Sequence, residues 1–592
     1  MMSKDLYWQN DHTPASRRHD DIYFSTENGL RESSHVFLQG ISAPEIWRKR
    51  DHFTLLENGF GSGLNFVLTC QEWLKTAPPD ARMTYIATEK YPLTAEDISR
   101  ILSCWPQLDR EARELLSHYP PQNAGFHSRK MFAGRIKLLL LIGDSRSMLP
   151  RLEARVDAFY LDGFSPGRNP DMWGAEIFDQ LTRLAAAEAR LATFSAAGFV
   201  RRRLEKAGFT MRKSPGFGKK RECLRGKFCG SAPPSRKPWF DRPDPLSSGS
   251  SIAIIGGGIA GLTAGLALQN NGYKVTIFEQ DHQPMDGASG NPAGILDPVL
   301  DTGDGPGAVF YRAALCHALD YYPALDPEIF LTRGLTKYAV KSGEKQEFPE
   351  CGAISPPKIR EILSGRLTIK SHQNITDITA CGAADAVIIC GGAASSQFPQ
   401  TAPLPLEPVR GQITLLDADK YADPPQQVLC GKGYLVPPVN LDGRMTMVAG
   451  ATYGRGDDNM DIRAQDHRQN LANAEILWPG VGIRPVTGGR TARRAHSPDH
   501  LPLCGPVPDF AGYKTAYEML KHGPRHRDFP PAPCQPNLYM VTGLGSHGFM
   551  AAPLLAEILS AVISGQALPV PKAVYHALHP ARFIIRSLKK AK

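Results

Sequence analysis

The sequence has no paired-cysteine or Cys/His spacing of a zinc site, no internal repeat and no uninterrupted apolar run of membrane-spanning length. The eleven cysteines are scattered and odd in number. That pattern excludes a disulfide framework and suits reduced core thiols in the cytoplasm. Residues 1–14 are polar, so no secretory leader is expected there. The most apolar stretch, residues 251–268, carries five glycines and reads as strand, turn and helix rather than a span. Neither metal nor membrane is expected as a partner. At 592 residues the chain exceeds one core, and two to four domains are expected. A net charge of +9 permits a polyanionic partner without requiring one.

The chain does carry two glycine-rich turns of different kinds, each closing an apolar strand and opening a helix. Up to about residue 230, apolar segments at 53–57, 83–89, 136–143 and 156–162 alternate with helix-like ones, which predicts a parallel sheet with crossover helices. Residues 233–250, crowded with proline, serine and glycine, read as a linker between a domain at 1–232 and one at 251–592. The fold class is α/β throughout, the second domain adding an α+β substrate lobe.

In the first turn, Glu57, Gly59, Gly61 and Gly63 alternate with other residues. The glycines let the backbone bend tightly against a ligand. Glu89 ends the second strand, where a carboxylate can accept ribose hydroxyls. Asp144, ending the third, is placed for an adenine amino group. An acid before the glycines would repel phosphate, and the set resembles the S-adenosylmethionine-dependent methyltransferase fold. Asp162 ends the fourth strand, at the edge where parallel sheets place their chemistry. It also suits a helix cap.

The second turn is Gly256-x-Gly258-x-x-Gly261, with Glu279 ending the next strand. The spacing predicts a dinucleotide fold: pyrophosphate at the helix N-terminus and ribose hydroxyls on Glu279. NAD and FAD both fit. Three further segments favour FAD: residues 288–294 with Ser289, Gly290 and Asn291, a buried strand ending at Gly391, and a turn at 543–549 with Gly545, Ser546, His547 and Gly548. That turn can aim N–H groups at a flavin ring.

Residues 20–25 (Asp-Asp-Ile-Tyr-Phe-Ser), 29–32, 162–164 (Asp-Gly-Phe), 169–173 (Asn-Pro-Asp-Met-Trp), 192–202 and 216–222 make the first half similar to the bifunctional tRNA 5-methylaminomethyl-2-thiouridine biosynthesis family, MnmC. The second half resembles both that family and the D-amino-acid-oxidase/glycine-oxidase flavoproteins. The resemblance implies a tRNA substrate with a carboxymethylaminomethyl group on its wobble uridine. A flavin domain would remove the carboxymethyl group, and a methyltransferase domain would methylate the exposed amine, with Asp162 near the chemistry. It also implies an arginine holding the substrate carboxylate. Arg494 is the candidate, and Arg490 and Arg493 compete for the role. Phosphate contacts are expected from residues 201–203, from Lys219, Lys220 and Arg221, and from the tail at 586–592. An amino-acid oxidase fused to an amine methyltransferase without nucleic acid is the alternative, and a cofactor-sensing RNA-binding protein a third class. The oligomeric state is left open, a monomer being compatible.

Overall fold

A computed structural model describes residues 5–9, 13–24, 29–218, 221–301, 303–339, 343–419, 423–523 and 528–590. Its contacts cluster into two units, residues 1–236 with 565–572, and 237–564 with 573–592. No helix among the described residues is long and apolar enough to cross a membrane.

The first unit is built on an eight-stranded sheet: β1 (His52–Asn58), β2 (Arg82–Glu89), β3 (Gly125–Met131), β4 (Ile136–Ile142), β5 (Val156–Leu161), β6 (Ala185–Thr193), β7 (Phe209–Pro215) and β8 (Glu222–Phe228), in the order β7-β8-β6-β5-β1-β2-β4-β3. Strands β1, β2, β4, β5 and β6 run parallel. All seven residues of β4 are buried, the unbroken apolar run of a parallel strand covered on both faces. Helix α1 (Leu64–Thr76) leads from β1 toward β2. The strand order reverses at β1, between β2 and β5, which opens a crevice beyond their carboxyl ends. Three short strands, Leu6–Trp8, Pro14–Ser16 and Asp21–Ile22, form a separate antiparallel sheet.

The second unit has a six-stranded sheet of β9 (Ser251–Ile255), β10 (Lys274–Phe278), β11 (Thr368–Lys370), β12 (Ala386–Ile389), β13 (Leu503–Pro508) and β14 (Cys534–Thr542), in the order β11-β10-β9-β12-β14-β13. Helix α2 (Ile259–Gln269) follows β9, and α3 (Gly548–Ser564) follows β14. A nine-stranded sheet forms the substrate lobe; in it, Glu407–Asp417 pairs antiparallel with Val486–His496.

The expected linker is only partly a tether. Trp239 is 1% exposed and packs with Tyr513, Tyr517 and Leu520 of the second unit. Proline and serine content hid the aromatic anchor Trp239, whose burial outweighs the local irregularity.

Candidate functional sites

In the first unit the loop after β1 turns through left-handed backbone at Gly59, Gly61 and Gly63 (φ +102°, +53° and +76°). A Cβ on Gly59 would lie 3.1–3.2 Å from Met172, the Asp162 carbonyl and Gly163, so a side chain there meets both strain and crowding. The loop borders a cavity of about 1060 Å³, lined among others by Gly59, Gly61, Glu89, Asp144, Asp162 and Phe164. Glu89 holds the loop in place: its Oε2 accepts from the Gly61 N–H at 2.9 Å and its Oε1 from that of Tyr91 at 2.8 Å. Burial raises its pKa, against these backbone bonds. Asp144 is the centre of an ion cluster, bound by Arg146 at 2.8 Å and Lys90 at 2.9 Å. The Arg146 hydrogen bonds hold its carboxyl well below the usual range. The phenyl ring of Phe164 stacks on His19 at 4.5 Å, and Asp21 accepts from Ser165 at 3.0 Å, so the small N-terminal sheet forms one wall.

Glu57 and Gly63 are not part of the cavity lining. Glu57 is 1% exposed and accepts from the Asn65 amide at 2.7 Å and the Tyr85 hydroxyl at 2.9 Å. Burial, with Asp162 as a nearby like charge, drives its pKa well up. The same Asn65 nitrogen donates to Asp162 Oδ2 at 2.6 Å, and the Gly163 N–H donates to Oδ1 at 2.8 Å. Ser33 in turn donates to the Asn65 carbonyl oxygen. Asn65 therefore joins a buried acid to the acid facing the cavity. The sequence signal for it was one polar residue among apolar neighbours in the first turn of α1.

In the second unit a cavity of about 760 Å³ opens beside β9, α2 and the turn before α3. Gly256, Gly258, Glu279, Ser289, Asn291, Gly391, Gly545, Ser546, His547 and Gly548 all line it. Two of the sequence candidates do not. Gly261 packs helix on strand, since a Cβ there would fall 1.9 Å from the Gly256 carbonyl oxygen. Gly290 lies against Met285 and Arg490. A Cβ on Gly258 would meet only Ser289, at 3.5 Å, which leaves room for a ligand to approach the backbone. Glu279 accepts from the Gly257 N–H at 2.6 Å and that of Asp281 at 2.9 Å. The first turn of α2 carries no acidic residue, and although the Ile259 N–H donates to Ser289 Oγ at 3.1 Å, the helix dipole there favours an anion. These features fit a flavin dinucleotide, as the glycine loop and Glu89 of the first cavity fit a nucleoside without phosphate.

The three neighbouring arginines differ in their surroundings. Arg490 donates to the carbonyls of Asp286 and Gly287 and to Asn291. Arg493 pairs with Asp458 at 3.1 Å. Arg494 lines the cavity and, among the described residues, has no hydrogen-bond or ion-pair partner. Its guanidinium lies over Gly411, where an ideal Cβ would stand 3.0 Å from Cζ. The neighbouring Lys337 is held by Asp297 at 2.6 Å.

Of the expected phosphate contacts, Arg201 pairs with Glu205, Arg203 donates to the Trp173 carbonyl, and Arg586 is bound to Asp499. Lys219, Lys220 and the last two residues of the tail lie outside the described residues, as does Ser25. Among the described residues no cluster of three or more His, Cys, Asp or Glu could hold a metal.

The second cavity falls in a stretch that matches a known family, and the first lies partly in one, from Asp144 onward. Residues 106–228 match the S-adenosyl-L-methionine-dependent methyltransferase family, and residues 251–368 and 358–562 match the FAD dependent oxidoreductases. Glycine oxidase from Geobacillus kaustophilus superposes on 54% of this chain and 95% of its own, at 19% identity and a TM-score of 0.43. A tRNA 5-methylaminomethyl-2-thiouridine biosynthesis bifunctional protein MnmC from Magnetococcus marinus is 38% identical over 99% of this chain and 97% of its own. One of the same name from Pseudomonas paraeruginosa is 34% identical over 98% of each. With both cofactor folds present and the likeness running from end to end, the chain belongs to the bifunctional MnmC family.

Proposed function

We propose that this chain performs two consecutive reactions on the wobble uridine of tRNA in the cytoplasm, where its eleven unpaired cysteines suit a reducing environment. The second unit removes a carboxymethyl group from 5-carboxymethylaminomethyl-(2-thio)uridine, and the first methylates the 5-aminomethyl group that results. What carries this reading is the pairing of two differently built cavities in a chain that matches relatives of that name along almost its whole length. When bound, FAD supplies a two-electron acceptor and S-adenosyl-L-methionine an electrophilic methyl group.

The side chain to be oxidised is an N-substituted glycine. Its carboxylate needs an anchor deep in the cavity, and the unpartnered Arg494 suits a two-pronged contact. Oxidation of the carbon between amine and carboxylate gives an imine; water cleaves it to glyoxylate and a primary amine. Gly256, Gly258 and the N-terminus of α2 would hold pyrophosphate, Glu279 the ribose hydroxyls, and residues 545–548 the flavin ring.

In the first unit, Glu89 would accept ribose hydroxyls and Asp144 would face the adenine. An alkylammonium has no lone pair, so the amine must lose a proton before it attacks carbon. Asp162 is held by Asn65 and the Gly163 N–H. It would orient the amine and receive that proton. Mass spectrometry of wobble nucleosides tests the proposal: tRNA bearing the carboxymethylaminomethyl group is incubated with FAD alone, S-adenosyl-L-methionine alone, or both. The expected products are the aminomethyl nucleoside with FAD alone and the methylaminomethyl nucleoside with both. An unchanged nucleoside in all three overturns it.

A further inference from the structure

Two bulky apolar side chains at the flavin cavity have no role in the reading above. Tyr453 is 45% exposed and Met460 is 40% exposed, and both line the cavity that Arg494 lines. Large exposed apolar groups inside a ligand cleft usually mark a contact surface.

Neither side chain is loosely placed. The Tyr453 ring meets His496 edge-on at 5.3 Å, and its hydroxyl lies 3.4 Å from His496 Nδ1. Burial and the neighbouring Arg494 lower the His496 pKa to about 4, so at neutral pH the imidazole can accept that hydroxyl proton. Met460 sits in a loop tied down carbonyl by carbonyl. Arg410, 2% exposed, donates to the carbonyls of Asn459 (2.5 Å) and Asp461 (2.6 Å), and Thr491 donates to that of Met460 itself. The loop therefore holds Met460 at the cavity wall without help from a ligand.

Arg494 and His496 stand two residues apart on one strand, Val486–His496, and so share a face, about 7 Å apart. A carboxymethylaminomethyl group spans four bonds from the uracil ring to its carboxyl carbon, roughly 5 Å when extended. Arg494 and Tyr453 line the same cavity, and Arg494 is close enough to His496, the partner of Tyr453, to lower its pKa, so a carboxylate held by Arg494 leaves the pyrimidine within the cavity that Tyr453 borders. Resting on the function proposed above, we propose that Tyr453 and Met460 form a nucleobase subsite in which the wobble pyrimidine stacks on the tyrosine ring while Arg494 holds the carboxylate. Base–aromatic stacking tolerates a modified pyrimidine, because it uses the π-face rather than the base edges.

The test measures flavin reduction by an anticodon stem-loop carrying 5-carboxymethylaminomethyluridine, without oxygen, in the FAD-loaded full chain. Wild type is compared with Tyr453→Ala, Tyr453→Phe and Met460→Ala, with FAD content and visible spectrum as folding controls. Tyr453→Ala is expected to raise the half-saturating stem-loop concentration at least about fivefold, or about 1 kcal/mol, with the limiting rate within about twofold. Tyr453→Phe should stay near wild type, and Met460→Ala should fall between. An unchanged half-saturation in Tyr453→Ala, or Tyr453→Phe as impaired as alanine, overturns the subsite. Failure of the wild type to be reduced by the stem-loop overturns the proposed function and the subsite with it.

Discussion

Glu57→Gln should stabilise the first unit, by an amount that grows with pH. The wild-type carboxyl is buried beside Asp162, and its pKa stands well above the ordinary 4.5. Above pH 4.5 the unfolded chain releases this proton, while the folded protein holds it to higher pH. A raised folded pKa means that the group's contribution is fully present below the unfolded pKa and is lost as pH rises through the folded one. The loss runs at about 1.4 kcal/mol per pH unit for one proton. As pH rises from 5.5 towards 7.5 the wild type therefore loses stability relative to a side chain that does not titrate, for as long as the folded carboxyl stays protonated. Glutamine mimics the protonated acid: its oxygen can accept from Asn65, and its amide can meet the Tyr85 oxygen. For a unit of this size each kcal/mol of that growing advantage corresponds to a rise of about 2–4 °C in midpoint. Calorimetry of the full chain measures it, and S-adenosylhomocysteine identifies the relevant transition by raising it. A glutamine-minus-wild-type difference that stays flat from pH 5.5 to 7.5 would refute the claim that Glu57 is held protonated.

Other outcomes follow from the same geometry. Asp162→Ala should abolish methyl transfer while leaving flavin reduction and glyoxylate release intact; undiminished transfer, read by nucleoside mass spectrometry, removes Asp162 from the chemistry. Gly411→Ala would place a methyl 3.0 Å from the Arg494 guanidinium. Displacing the proposed carboxylate anchor should cost roughly 1–2 kcal/mol, seen as a 5- to 30-fold higher half-saturating substrate concentration with FAD affinity unchanged. An unaltered value would mean that the guanidinium does not use the space above Gly411 when substrate is bound. Affinity for tRNA should fall steeply as salt rises from 50 to 200 mM, measured by filter binding, because phosphate contacts release counterions; a flat response argues against a phosphate-dominated interface.

The strands that carry the two sites were legible because buried parallel strands read as continuous apolar runs, and glycine marks the turn that ends them. Strands expected at 136–143 and 156–162 run at Ile136–Ile142 and Val156–Leu161, so Asp162 falls just past its strand. What the chain did not disclose was direction. Glu57 is one residue from the turn, yet alternation along β1 points it beneath α1, toward Asn65 and Tyr85. A motif fixes a residue's place in the sequence; the pleat decides which side of the sheet receives its carboxyl. The same limit applied to Arg490, Arg493 and Arg494, three cations within five positions. The proposed choice of Arg494 rests on pairing, because it stands opposite Val409, diagonal to the one glycine whose missing Cβ leaves room for its head group. Tyr453 and Met460 were out of reach for a different reason. Their loop has no periodicity of its own, and its shape is imposed by Arg410, some fifty residues upstream. Local sequence thus locates the cofactor loops, whose chemistry is carried by backbone, whereas the proposed substrate contacts depend on side chains that long-range pairing alone brings to one face.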